Sequence, residues 1–123
     1  MQAGPRHTEQ YMKRYVAGSV TVLGRVVKII LTDSDAELKL SNGRQVRAFF
    51  DSEAQVIVID SREPYESQRY LYAHELAHAF LTYSGCADNM VISQEEMIID
   101  RAFVPYLDVA CLNPYPVKRT KTK

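Results

Sequence analysis

The sequence predicts an α+β fold in which a small, mostly antiparallel β-sheet packs on two helices. Residues 19–60 are rich in β-branched residues and alternate apolar with polar positions, as strands do. In residues 64–108, apolar residues instead recur every three or four positions, as they do on one face of a helix. The length of 123 residues and the apolar content of 46% suit a single domain over residues 1–123.

Three strand signals occur in the first half. SVTVLGRVVKIIL, residues 19–31, predicts one strand in which Gly24 marks a bulge or bend. AELKL and RQVRAFF alternate on either side of an Asn-Gly pair at 42–43, which predicts a hairpin. VIVID, residues 56–60, predicts a short strand whose position is left open. Such an apolar run suits an interior strand buried on both faces, but an exposed edge that pairs with a peptide is equally compatible.

The two ends of the chain carry separate predictions. In the N-terminal segment, residues 1–18, we expect a short helix from Thr8 to about Ala17. This segment lacks an apolar signal region, and no apolar run is long enough to span a bilayer, so we expect a cytoplasmic protein without a membrane contact. Residues 112–123 end in KRTKTK and predict a basic, flexible tail.

Charge and cysteine content exclude several classes of partner and compartment. Fifteen basic and fifteen acidic residues cancel, so the overall field favours neither nucleic acid, an anionic membrane nor an acidic substrate. The nucleic-acid contact that we expect is at most a weak one by the basic tail. Cys86 and Cys111 are far apart and lack a CxxC spacing, which is typical of a reduced compartment. The sequence does not predict the oligomeric state.

YLYAHELAHAFLTY, residues 70–83, contains the pattern H-E-x-x-H inside a helix predicted for 67–83, with Gly85 at its C-cap. His74 and His78 are four residues apart on one helical face, so both imidazoles can bind one cation. Glu75 points about 100° away by helix geometry, beside the metal, where it can act on a bound water. The pattern therefore predicts two metal ligands and a catalytic base.

A third ligand is expected on the second helix, SQEEMIIDRAFVPYL, which Pro105 should kink or end. A catalytic zinc ion usually has three protein ligands, and His7 lies near a chain end. The sequence after the motif also lacks the metzincin histidine, so a carboxylate is the better candidate. Glu96 and Asp100 share a face, which suits Glu96 as ligand and Asp100 as acceptor for a ligating histidine. If Glu96 instead closes a capping box with Ser93, Glu95 is the reserve ligand.

HELAHAFLTYSG followed by EEMIIDRAF resembles the ImmA/IrrE-like metallopeptidases, especially the small phage-type and prophage-type members. The resemblance covers roughly residues 25–107 and implies a minimal gluzincin-like zinc fold in a bacterial or phage-infected cell. It implies that His74, His78 and Glu96 bind zinc and that Glu75 is the base. FVPYL replaces the longer apolar segment and L-M-P that often end the second helix in this family, and a helix-turn-helix domain is absent. The resemblance therefore implies proteolysis without implying cleavage of a repressor.

The expected function is zinc-dependent hydrolysis of a peptide or protein substrate. Zn²⁺ would lower the pKa of its bound water to about 7, and Glu75 would take the proton as general base. An oxyanion donor would help, and the available phenols give no basis for choosing among them. They belong to Tyr72, Tyr83, Tyr106 and Tyr115.

Two other functions are compatible with the sequence. One is a catalytically inactive zinc-binding module that acts through a protein partner, and the other is a regulatory or structural protein in which the motif is accidental. Glu75 favours the enzyme, because a purely structural zinc site has no use for a base there. The small size favours the module, because little surface remains to form a cleft. Metals other than zinc also accept imidazole and carboxylate ligands.

Overall fold

The computed structural model describes residues 13–109 and 113–115, and its four strands form one sheet in the order β1-β2-β4-β3. The strands are β1 Arg14–Val22, β2 Arg25–Thr32, β3 Ala48–Asp51 and β4 Val56–Asp60. The β1/β2 and β3/β4 pairs are antiparallel, and β2/β4 is parallel. The predicted α+β fold with a small, mostly antiparallel sheet is thus confirmed.

The first two strands form a hairpin instead of the single strand predicted for residues 19–31. Leu23 and Gly24 have φ values of 50° and 85°, and positive φ at both positions is the signature of a type I′ turn. Gly24 therefore reverses the chain, and the bulge in this region lies between Val16 and Gly18. The sequence does not indicate this turn, because Leu23 continues the apolar run between the two strands.

The N-terminal prediction is wrong where the structure describes the chain. Residues 14–17, predicted as the end of a helix, belong to β1 and pair with β2. Lys13 is not helical either. Residues 8–12 of that predicted helix lie outside the described part of the chain. Pairing with a neighbouring strand has overridden a local preference that was weak to begin with.

A loop over residues 33–47 covers one face of the sheet and helix α1 covers the other. The predicted Asn-Gly hairpin is reduced in this loop to a single bridge, Lys39 with Gln45, and β3 begins only at Ala48. Leu38 of the loop packs on Ile30 and Val58 at one face of the sheet. The cleft described below opens between this loop and α1.

β4 is an interior strand, so of the two positions left open for VIVID the buried one is correct. Ile57 and Ile59 face the core beneath α1, and Val58 faces the 33–47 loop. Burial on both faces explains why the run is apolar throughout. The strand at the edge beside the helices is β3.

The helical half consists of one long helix and one interrupted helix. The elements are α1 Tyr65–Tyr83, a 3₁₀ turn Cys86–Asn89, α2 Ile92–Ile98, a π turn Ile99–Phe103 and α3 Val104–Val109. Gly85 has φ of 84°, as predicted for the residue that ends α1, and its N–H donates to Thr82 O at 3.1 Å. None of the helices in the described ranges is long and apolar enough to cross a membrane.

The second helix begins at a different cap from the one that the sequence offered as an alternative, and it continues past Pro105. Its cap is Val91, whose N–H donates to Gln94 Oε1 at 3.2 Å, so Ser93 and Glu96 do not form a capping box. Pro105 does not end the helix, which continues to Val109 after the π turn. Because Pro105 has no N–H for the carbonyl four residues earlier, a wider turn at this point is a natural accommodation.

Residues 113–115, which the sequence placed in a flexible tail over 112–123, pack on α1 instead. The rest of that segment lies outside the described residues. Asn113 Nδ2 donates to Arg69 O at 3.0 Å, and the Tyr115 hydroxyl donates to Gln68 Oε1 at 2.6 Å. The ring of Tyr115 packs on Tyr72 with centroids 5.2 Å apart. This contact attaches the segment to the buried side of α1.

Removing the Tyr72 hydroxyl is expected to stabilise the protein. Among the side chains that the structure describes, this hydroxyl is a buried polar group without a hydrogen-bond partner, and burial raises its pKa to about 12. We expect Tyr72→Phe to raise the free energy of unfolding by about 1 kcal/mol, and Tyr115→Phe to lower it by about 1 kcal/mol. Urea titration with an unchanged m-value measures both. Destabilisation by Tyr72→Phe would show that its hydroxyl has a partner.

Candidate metal centre

Three side chains from α1 and α2 converge on one point. His74 Nε2 lies 3.1 Å from Glu96 Oε1, and His78 Nε2 lies 3.1 Å from Glu96 Oε2. One ligand atom from each residue lies within 4.8 Å of the others, so the three can hold a metal ion together. These are the residues in which sequence analysis placed the metal ligands.

The π turn that follows α2 is held against α1 by apolar packing, about one turn from this point. Ile99 is fully buried against Ala73 and Ala77, whose small side chains allow the two helices to approach closely. Glu96 precedes Ile99 by three residues, so it lies on the same side of α2 and reaches the imidazoles. The centre therefore depends on helix packing as much as on the motif.

Each imidazole is bound through its other nitrogen by a second carboxylate. His78 Nδ1 lies 2.6 Å from Glu95 Oε2, and His74 Nδ1 lies 3.2 Å from Asp100 Oδ1. Asp100 thus lies where the sequence placed it. Glu95, the reserve ligand, faces the outer nitrogen of His78 and not the point where the three side chains meet.

This hydrogen-bond pattern leaves a centre that calls for a cation. A carboxylate acceptor at Nδ1 favours a proton on that nitrogen, which leaves the lone pair of Nε2 directed inward. Both Nε2 atoms then face the oxygens of Glu96, and lone pairs on imidazole and carboxylate repel each other unless a proton or a cation lies between them. Two imidazoles and a carboxylate suit a divalent transition metal, so the residues present fit one.

Glu75 lies beside this point and is largely withdrawn from solvent. Its side chain is 8% exposed, and burial raises the pKa of its carboxyl, while the neighbouring His78 and His74 oppose the rise. Together with His74 it lines two cavities that meet at the centre. A carboxyl that is both buried and next to the cleft can accept or hold a proton there.

Tyr70 contacts the centre and was missed by the sequence analysis. Its hydroxyl donates to Asp100 Oδ1 at 3.2 Å, the same oxygen that faces His74 Nδ1, and its ring lies 6.0 Å from the His74 ring. Burial and the charge of Asp100 raise the pKa of this phenol. Tyr70 precedes His74 by four residues, so helical spacing was the signal that could have identified it.

The four phenols considered from the sequence do not contact the three converging side chains. Tyr72 and Tyr115 lie in the core, and the Tyr83 hydroxyl donates to Ser52 O at 2.9 Å. Tyr106 is exposed on α3. Cys86 is a free, exposed thiol outside the centre, and Cys111 lies outside the described residues.

A small β-sheet beside an HExxH helix, with a glutamate from the next helix facing both histidines, defines an α+β protein of the HExxH class with a candidate metal site. The chain belongs to the IrrE N-terminal-like domain family, Peptidase M78, whose family model matches residues 34–101. The matched region contains the whole of α1 and the acidic residues of the second helix, and it confirms the resemblance drawn from the sequence. No curated protein and no solved structure matches the chain.

Proposed function

We propose that the protein is a zinc-dependent metallopeptidase that hydrolyses peptide bonds of a peptide or protein substrate. One observation carries the proposal: Glu96 faces the Nε2 atoms of both motif histidines at 3.1 Å, with the buried carboxyl of Glu75 beside them. Membership of a peptidase family supports the same reading. A purely structural metal site would have no use for Glu75.

His74, His78 and Glu96 would hold the ion, and zinc is favoured because two histidines and a glutamate are a set used by catalytic zinc sites. When bound, zinc supplies Lewis acidity and lowers the pKa of water near the scissile carbonyl. Glu75 would accept a proton from the attacking water and return it to the leaving amine. Burial raises the pKa of this carboxyl, which favours its taking up the proton.

The outer carboxylates act through the histidines. Glu95 and Asp100 hold the Nδ1–H groups of His78 and His74, which fixes the tautomer and the ring plane of each imidazole. Tyr70 donates to Asp100 and so restrains the carboxylate that orients His74. We assign Tyr70 a positioning role on this contact.

The exposed edge of β3 is the proposed binding site for the peptide backbone. Arg47 O accepts the Asp60 N–H at 2.8 Å, so by the alternation of an antiparallel ladder Ala48 and Phe50 direct their N–H and C=O groups toward the open edge. A peptide added at this edge would lie along the cleft beside His74 and His78. β4, which the sequence allowed for this role, is paired on both sides.

Removal and replacement of the metal test the proposal. We expect the zinc-loaded protein to cleave members of a randomised peptide mixture, cleavage to stop in a chelator, and added zinc to restore it. The chelated protein should also melt at a lower temperature, because a bound ion at about 1,000 times its Kd stabilises the folded state by about 4 kcal/mol. Cleavage that persists in the chelator contradicts the proposal. Tight zinc binding without any cleavage supports the inactive module instead.

A further inference from the structure

The cleft has two chemically different halves, which meet at His74 and Glu75, and the second of them contains the metal centre. A cavity of about 420 Å³ extends toward the start of β3 and the first turns of α1, reaching Arg47 and Tyr70. A second cavity of about 630 Å³ extends toward the end of β3 and the later turns of α1, reaching Ser52 and Thr82. The two share five lining residues, namely Arg44, Val46, Ala48, His74 and Glu75. A peptide over the centre would therefore occupy both.

The first half is rich in guanidinium groups. Arg44, Arg47 and Arg62 line it, and the carboxylates of Asp35 and Asp60 line it too. Arg62 binds both of these carboxylates, at 2.6 and 2.8 Å, so this group is internally paired. What remains for a ligand is the pair of guanidiniums on the 33–47 loop.

Arg44 is the arginine in this half that would not have to break an ion pair with a described carboxylate in order to bind a ligand. Arg47 Nη1 lies 3.1 Å from Glu63, whereas Arg44 has no carboxylate partner among the residues that the structure describes. Arg44 also lines both cavities, so its charge borders the cleft where the two meet. An arginine fork is suited to a carboxylate, which it can bind through two parallel hydrogen bonds.

The second half offers apolar surface. Its apolar lining is contributed by the loop, by β3 and by the start of α2, namely Leu40, Val46, Phe49, Phe50 and Ile92. Ile92 is 80% exposed although it borders this cavity. An aliphatic side chain exposed at the rim of a cavity gains free energy when an apolar ligand group covers it.

We propose that the substrate carries a bulky apolar side chain before the cleaved bond and an acidic side chain after it, and that Arg44 binds the acidic group. The order follows from β3, which runs from the arginine half to the apolar half. Antiparallel pairing, the more stable kind per residue, places the N-terminal part of the peptide over the apolar half. This inference rests on the proposed peptidase function and names the substrate class of the same site.

A charge-swap experiment on the zinc-loaded full chain tests the inference. Matched peptides place Phe before the cleaved bond and Asp, Asn or Lys after it, and kcat/KM is measured for each. We expect Asp to be favoured over Lys by about fivefold, the size of an exposed ion pair. In Arg44→Glu the preference should reverse in favour of Lys. Ile92→Ser should reduce the preference for Phe over Ser before the bond.

Lys39→Glu is the matched control, because Lys39 is exposed on the same loop, undergoes the same charge change and lines neither cavity. It should keep the parent preference. An equal preference for Asp and Lys in the parent, an unchanged preference in Arg44→Glu, or the reverse order of apolar and acidic residues would overturn this inference while leaving the peptidase in place. Failure of the zinc-loaded parent to cleave any peptide would overturn the proposed function itself.

Discussion

Glu75→Gln is expected to lower kcat for peptide hydrolysis by about 10²–10⁴-fold, the usual contribution of a general acid-base group, with no loss of bound metal. The amide keeps the size of the side chain but cannot accept the proton that the proposed mechanism transfers. Metal should stay because the converging atoms belong to His74, His78 and Glu96. Peptide turnover and elemental analysis on the same preparation measure the two effects separately.

Glu75→Gln is also expected to leave the stability of the metal-free protein undiminished. Burial raises the pKa of Glu75, so its ionised form is less stable in the folded protein than in the unfolded chain. A neutral amide removes that cost, and the melting temperature of the metal-free variant should not fall below that of the metal-free parent. Glu53→Gln, at an exposed glutamate that lines neither cavity of the cleft, is the control for activity. Undiminished turnover in Glu75→Gln would eliminate Glu75 as the base.

Glu96→Ala is expected to abolish stoichiometric zinc binding. The parent should contain about one equivalent of zinc, and the variant should lose it because two histidines alone do not form the usual three-ligand site. The loss should be larger than the 10–100-fold decrease in affinity that is typical when an orienting partner is removed. Elemental analysis after dialysis against zinc and a weak chelator measures it. A parent that binds no metal under these conditions would refute the site.

Glu95→Ala separates a ligand from an orienting residue. Because Glu95 contacts the outer nitrogen of His78, its removal should weaken zinc binding by about 10–100-fold and leave a measurable site. The expected order of affinity is Glu53→Ala, then Glu95→Ala, then Glu96→Ala. If Glu95→Ala lost zinc completely and Glu96→Ala retained it, the assignment of ligand and orienting residue would have to be exchanged.

Local helical geometry accounts for the parts of the centre that sequence could predict. His74 and His78 share a face because four residues are close to one turn, and Glu96 and Asp100 share a face for the same reason. Both pairs lie on helical turns in the structure, and both carboxylates of the second pair contact His74. No knowledge of the rest of the chain is needed for either relation.

The contact between Glu95 and His78 could not be predicted from helical spacing. Within α2 it points about 100° away from Glu96, which suggested that only one of the two could be used. In the structure the two nitrogens of the His78 ring point in different directions, so Glu95 contacts Nδ1 and Glu96 contacts Nε2. These contacts join residues 17 or more positions apart, and they exist only once Ile99 packs α2 on α1.

Sheet order was also beyond the reach of the sequence. VIVID predicts a strand, but periodicity does not indicate which strands it pairs with. In the structure it pairs in parallel with β2 and antiparallel with β3. The consequence is functional, because β3 and not β4 presents the open edge beside the centre. The hairpin of β1 and β2 shows the same limit at a turn, where Leu23 adopts a positive φ that its residue type does not predict.

By itself, the sequence determined the class of fold, the HExxH helix, the family and the candidate ligands on each helix, because these follow from spacing and motifs along single elements. The tertiary structure decided which carboxylate faces which imidazole nitrogen and which strand borders the cleft. It also decided that Tyr70 contacts Asp100 and that Arg44 lines the cleft. The physical reason is that these relations arise between elements. Apolar packing and strand pairing set them, and many sequences with the same local patterns could pack in other ways.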